Sequence, residues 1–181
     1  MAGEDTDAIG HFVGKWQARE PEMRLAEIFC PVPQKPDFRA WGALLHELRE
    51  AAFELSDARV TEAKLLWWAE ELAGLPQGRH RHPLTHALAG RPVPWNALAN
   101  ALAGVHASDV RAANTEEAVA RLLPLALAVN AVEAVLFDSP GSNTQARSLA
   151  VHWLLHQLPS GLVAEDTARL PMHLYARHGI T

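Results

Sequence analysis

Residues 38–72 read FRAWGALLHELREAAFELSDARVTEAKLLWWAEEL. In the first half, Phe38, Trp41, Leu45, Leu48, Ala52 and Leu55 recur at spacings of three and four. That is the period of one face of an α-helix, so the pattern predicts a helix over 38–55 with this stripe turned inward. Glu47, Glu50 and Glu54 fall on the other side of the same wheel, where charged groups remain solvated by default. A second helix is expected over 61–73, burying Leu65, Trp68 and Leu72 and ending near Gly74 and Pro76.

The same logic extends outward. Pro76, Pro83 and Pro92, with Gly78 and Gly90, break 75–94 into loop, a short helix over 84–88, and loop. A helix over 95–107 follows. Asn114 with Glu117, and Ser142 with Gln145, are capping-box patterns that start two more helices. The first places Leu122, Leu125, Val129, Val132 and Leu136 on one face, with Pro124 near enough to its start to be tolerated. The second, running to about residue 158, carries Val151, Leu154, Leu155 and Leu158 on one side and Trp153 on another, the pattern of an interior helix. Runs of alternating β-branched residues are lacking, so the fold class is all-α. Residues 1–181 read as a single helical domain, with 1–20 a partly flexible N-terminal segment.

Bulk properties narrow the function. A chain of 181 residues supports one sizeable core. A net charge of −5 and the lack of a basic patch exclude a general nucleic-acid binder. The single cysteine, Cys30, has no internal partner for a disulfide, which fits a reducing, cytoplasmic setting, and a packing role is expected for it. The acidic start MAGEDTDAIG lacks the positive region of a signal peptide. The most apolar run, 122–129, falls short of the ~18–20 residues that span a bilayer, so membrane contact is expected to be at most peripheral.

Four segments, in order, resemble the squalene/phytoene synthase family: the 38–55 helix with Ala43, Leu44, Arg49 and Glu50; Lys64-Leu-Leu-Trp-Trp68 followed by Glu71-Leu72; His82-Pro-Leu-Thr-His-Ala-Leu88; and Leu170-Pro-Met-His-Leu-Tyr-Ala-Arg-His-Gly179. The resemblance implies an isoprenoid-synthase-type helical bundle. It also implies a reaction in which two Asp-x-x-x-Asp motifs hold magnesium ions that grip prenyl diphosphates. Carboxylates at i and i+4 share a helix face and can reach one hard cation, which then offsets the charge of the departing diphosphate.

This chain departs from that pattern where the chemistry lies. Aligning Arg49-Glu50 puts Ala52 and Ser56 at the first aspartate pair, and Asp57 is one place off, about 100° round the helix. At the second motif the chain has Leu155-His156-Gln157, with Gly161 four residues on. It ends at Thr181, shortly after Arg177-His178-Gly179, where the family continues through more helices, so the expected bundle is C-terminally shortened. Glu50 and Glu54 form an i, i+4 pair but are expected to be solvated, like Glu165 and Asp166.

The expectation is therefore a non-catalytic, squalene/phytoene synthase-like protein with no catalytic residue and no metal. It would act by binding a protein partner or an apolar, isoprenoid-like ligand. The family is similar in this respect to relatives that have lost the aspartates and serve as assembly factors for respiratory complexes. One alternative is an active prenyl transferase using displaced acidic residues, which would need magnesium and prenyl diphosphate. Another is a ligand-free helical subunit of a homodimer or larger assembly. His152 and His156, one turn apart, would face the former diphosphate pocket, and with Arg49 and Trp68 they form the expected ligand-binding set. His82 and His86 share that spacing, but zinc needs at least three protein ligands and nothing fixes a third. Trp67 and Trp68 are expected to pack and line a groove, Trp41 and Trp153 to be buried, and Trp95 to cap a loop.

Overall fold

The computed structural model describes residues 2–55, 57–105 and 112–156, except for the side chains of residues 2–6, 155 and 156. Eight α-helices carry the fold, and no strand occurs among the described residues. They are α1 (Ala2–Arg19), α2 (Glu22–Phe29), α3 (Lys35–Phe53), α4 (Ala58–Gly74), α5 (Pro83–Leu88), α6 (Trp95–Ala103), α7 (Thr115–Leu136) and α8 (Asn143–His156). The all-α reading of the sequence stands.

Local chemistry sets the boundaries. Asp57 caps α4 by accepting from the Arg59 and Val60 amides; Asp57→Ala should cost about 1 kcal/mol of stability in a denaturant titration. Gly78, at φ 71°, closes the 3-10 turn after α4 in the left-handed region that favours glycine. Asn114 accepts from the Glu117 amide to open α7. Ser142 and Gln145 bond reciprocally to open α8, a complete capping box. The helix expected over 95–107 closes earlier, at Ala103.

Packing runs from α1 to α3, from α3 to α4 and α5, from α4 to α6, from α6 to α7 and from α7 to α8. Leu65, Trp68 and Leu72 of α4 are buried, as are Leu122, Leu125, Val129, Val132 and Leu136 of α7. Both stripes are the ones the periodicity requires. Trp41 and Trp153 are buried too. Trp95, expected at a loop, is a buried residue at the start of α6, its ring tilted against that of Trp41 at 6.4 Å between centroids.

Four expectations change. Residues 2–19 form a full helix, and its Trp16 is buried against α3. A Cβ on Gly42 of α3 would lie 2.2 Å from the Trp16 ring, so glycine there is what admits the indole. Because α1 covers that side, the buried face of α3 is shifted from the expected stripe: Trp41 and Leu48 are in the core with Ala40, Ala43, Leu44 and Ala51, whereas Phe38, Leu45, Ala52 and Leu55 are half-buried and Glu47 is buried rather than solvated. Cys30 does not pack in the core; it ends α2, a helix with no buried residue. Finally, the apolar run 122–129 belongs to a helix long and apolar enough, by length and composition alone, to cross a membrane, yet nine of its residues are buried in this core.

Candidate functional site

Two regions concentrate polar chemistry. The first lies where α1 and α4 meet α3. Lys15 Nζ donates to Glu47 Oε1 at 2.7 Å and to Glu50 Oε2 at 2.5 Å, and Lys64 Nζ approaches the other Glu50 oxygen at 3.6 Å. Glu47 and Glu50, three apart on α3, thus converge on one ammonium. Burial works against charge on Lys15, but the hydrogen bonds from the two carboxylates outweigh it and raise its pKa. Just past the end of α1, Glu20 accepts from Arg49 Nη1 at 2.8 Å and sits 3.6 Å from His46 Nδ1. The His46 imidazole first, and then the Arg49 guanidinium, hold the Glu20 carboxyl at about 2 despite burial.

Glu71 of α4 anchors the adjoining loop. Its carboxylate accepts from the Arg81 and His82 amides at 2.6 and 2.9 Å, the Thr85 hydroxyl at 2.6 Å and Arg81 Nε at 3.0 Å. Burial pushes its pKa up, but these donors hold it at about 2. The His82 ring accepts from the Leu84 amide and packs against Trp68 and Phe12, each within 5 Å between ring centroids. Burial lowers its pKa, against the pull of Glu47 and Glu71. His86 stacks on His80. Among the described residues no three His, Cys, Asp or Glu side chains gather as a metal site requires.

The second region is a groove of about 560 Å³ between α7 and α8, open to solvent and lined mainly by apolar surface. Ala134, Phe137 and Leu149 supply much of that surface, with Asn130 and Ser148 beside them. Glu133 of α7 lines it and accepts from Trp41 Nε1 at 3.0 Å, which ties α7 to α3. Burial raises the Glu133 pKa, against the lowering effect of the Trp41 hydrogen bond. A carboxyl with a raised folded-state pKa contributes stability below its ordinary 4.5, and that contribution is lost as pH rises through the folded value. Glu133→Gln keeps an acceptor for Trp41 and removes the charge. Its unfolding midpoint should therefore rise relative to the wild type between acid pH and pH 8; a constant difference across that range would show that Glu133 is not desolvated.

Of the four sequence-predicted residues, the three whose side chains are described lie apart. His152 is exposed and lines the α7–α8 groove. His156 ends α8, and its side chain lies outside the described residues, as do Ser56 and 157–181. Arg49 pairs with Glu20 between α1 and α3, and Trp68 lies in the core with its Nε1 unpartnered. Ala52 is half-buried near the end of α3. Sequence reasoning missed Lys15, assigned to a flexible segment, and Glu133. The signal for Glu133 was present: it is the one charged residue between Leu122 and Leu136. Searches against family models, curated proteins and solved structures find no match to this chain.

Proposed function

We propose that this chain is a non-catalytic, squalene/phytoene synthase-like protein of the isoprenoid-synthase type, acting by binding an apolar, isoprenoid-like ligand in the groove between α7 and α8. The observation that carries the reading is the Lys15 ammonium held between Glu47 and Glu50. A transferase using displaced acidic residues would need free carboxylates to hold magnesium. The half-buried and buried carboxylates that α3 offers nearest the Ala52 position are instead neutralised by Lys15 and Lys64.

Glu133 shapes the ligand preference. A half-buried carboxyl in the groove disfavours a diphosphate and suits a neutral head group that donates a hydrogen bond, such as a prenyl alcohol. Thermal unfolding with farnesol, and with farnesyl diphosphate in the presence and absence of magnesium, tests this. A melting temperature raised by farnesol and unmoved by magnesium with diphosphate is expected, since a ligand of the folded state stabilises it by mass action. A magnesium-dependent rise would instead establish the transferase reading.

A second reading, a helical subunit of a homodimer or of a complex with another protein, is favoured by the exposure of Leu127 and Val135 on α7. No shift with any ligand, together with a concentration-dependent mass, would put it first. The reducing, cytoplasmic setting inferred from Cys30 belongs to the same proposal.

A further inference from the structure

We infer that the surface formed by α2 and the 3-10 turn Val32–Gln34 is a membrane-contact face that seats on anionic phospholipid. Leu25, Ile28, Phe29 and Val32 are 64, 69, 87 and 77% exposed. Leu25, Ile28 and Phe29, at spacings of three and four, lie along one side of the helix, and Val32 follows in the 3-10 turn beyond the extended backbone of Cys30 and Pro31. They account for half of the large apolar side chains that the described chain exposes. α2 buries no residue of its own, and only Met23 of this helix packs against the core. The apolar side of α2 is thus unused by the fold, where an ordinary surface helix turns that side inward.

Charge selects the occupant. The acidic groups around this face are held by internal partners: Glu27 by Arg39 and Gln17, Glu20 by Arg49, and Asp37 by Arg91 at 2.9 Å. Arg19 and Arg24 are exposed and Lys35 half-exposed, none with a carboxylate within ion-pair distance among the described residues. Glu22 is the one exposed carboxylate on α2. Apolar side chains on a protruding helix, flanked by unpaired cations, match the interface of a bilayer carrying anionic lipid. Size argues against a second copy. Three side chains on a helix ~12 Å long and one on the turn after it fall short of the ~800 Å² that each partner contributes to a stable interface.

The single cysteine lies where a probe is needed. Cys30 follows Phe29 at the end of α2 and is partly exposed. The full chain, labelled at Cys30 with a polarity-sensitive fluorophore, would be floated with vesicles of phosphatidylcholine alone and of phosphatidylcholine mixed with phosphatidylglycerol. Flotation with the anionic vesicles, weaker flotation with the neutral ones, and a blue shift of the label are expected. Phe29→Ser should lower partitioning tenfold or more on both vesicle types. Arg24→Gln should lower it about fivefold on the anionic vesicles only. Phe29 is almost fully exposed, so its variant should unfold at the wild-type urea concentration; if it does not, the label shift of the unmutated chain decides. No flotation and no blue shift would overturn the inference. So would a wild-type dimer that Phe29→Ser converts to a monomer, which would assign the face to a second copy.

Discussion

Glu71→Ala should lower the stability of the protein by about 2–4 kcal/mol, read from the urea midpoint, because it takes the shared acceptor from several part-buried donors at once. The Arg81 and His82 amides and the Arg81 guanidinium lose their acceptor, and the Thr85 hydroxyl is left with the His82 carbonyl alone. With them goes the anchor of the loop that turns α4 back into α5. The wild type should show the matching pH dependence. The Glu71 carboxyl is held at about 2 in the fold against an ordinary 4.5. Its contribution is therefore complete above 4.5 and is lost as pH falls towards 2. Glu71→Gln keeps one acceptor oxygen and removes the charge, so it should lie between the wild type and the alanine variant and lose the acid dependence contributed by this group. Should Glu71→Ala cost no more than an exposed-residue change, within about 0.5 kcal/mol, the carboxylate does not organise this loop.

Trp16→Ala should cost about 3–5 kcal/mol, since it removes the buried anchor of α1 and leaves a cavity over α3. Gly42→Ala attacks the same contact from the other side. The new Cβ would meet the indole at 2.2 Å, so α1 must shift, at about 1–3 kcal/mol. The two changes should not add. With the indole gone, the alanine methyl occupies vacated space, and the double variant should be no less stable than Trp16→Ala alone. Additive costs would mean that Trp16 and Gly42 do not form one joint.

Periodicity alone gave α4 and the buried face of α7, and capping chemistry gave the starts of α7 and α8, because those signals lie within a few residues of each other. Glu47 shows where local reading stops. On the wheel of α3 it belongs with the solvated residues, and it is buried because α1, some thirty positions earlier in the chain, lies over it with a lysine in register. The acidic character of residues 1–10 concealed a helix whose useful side chains, Phe12, Lys15 and Trp16, come afterwards, with Glu20 just beyond its end. The groove was half visible: His152 was singled out, whereas Glu133 emerged only when its hydrogen bond to Trp41, 92 residues away, joined α7 to α3. Arg49 and Trp68, singled out beside His152, belong to the packing around α3 and α4, since a wheel does not record which neighbour faces each side.

The joint between Trp16 and Gly42 also makes ionic strength a separator of activities in this molecule. An indole seated on a bare backbone is held by apolar contact, which screening leaves intact, whereas attraction between exposed arginines and a charged lipid surface decays within a Debye length of ~10 Å at 0.1 M salt. Raising salt should therefore weaken attachment to a charged surface down to the level set by the apolar face alone, while the helices stay in place. Salt then shifts the balance between an attached and a free form that share one fold.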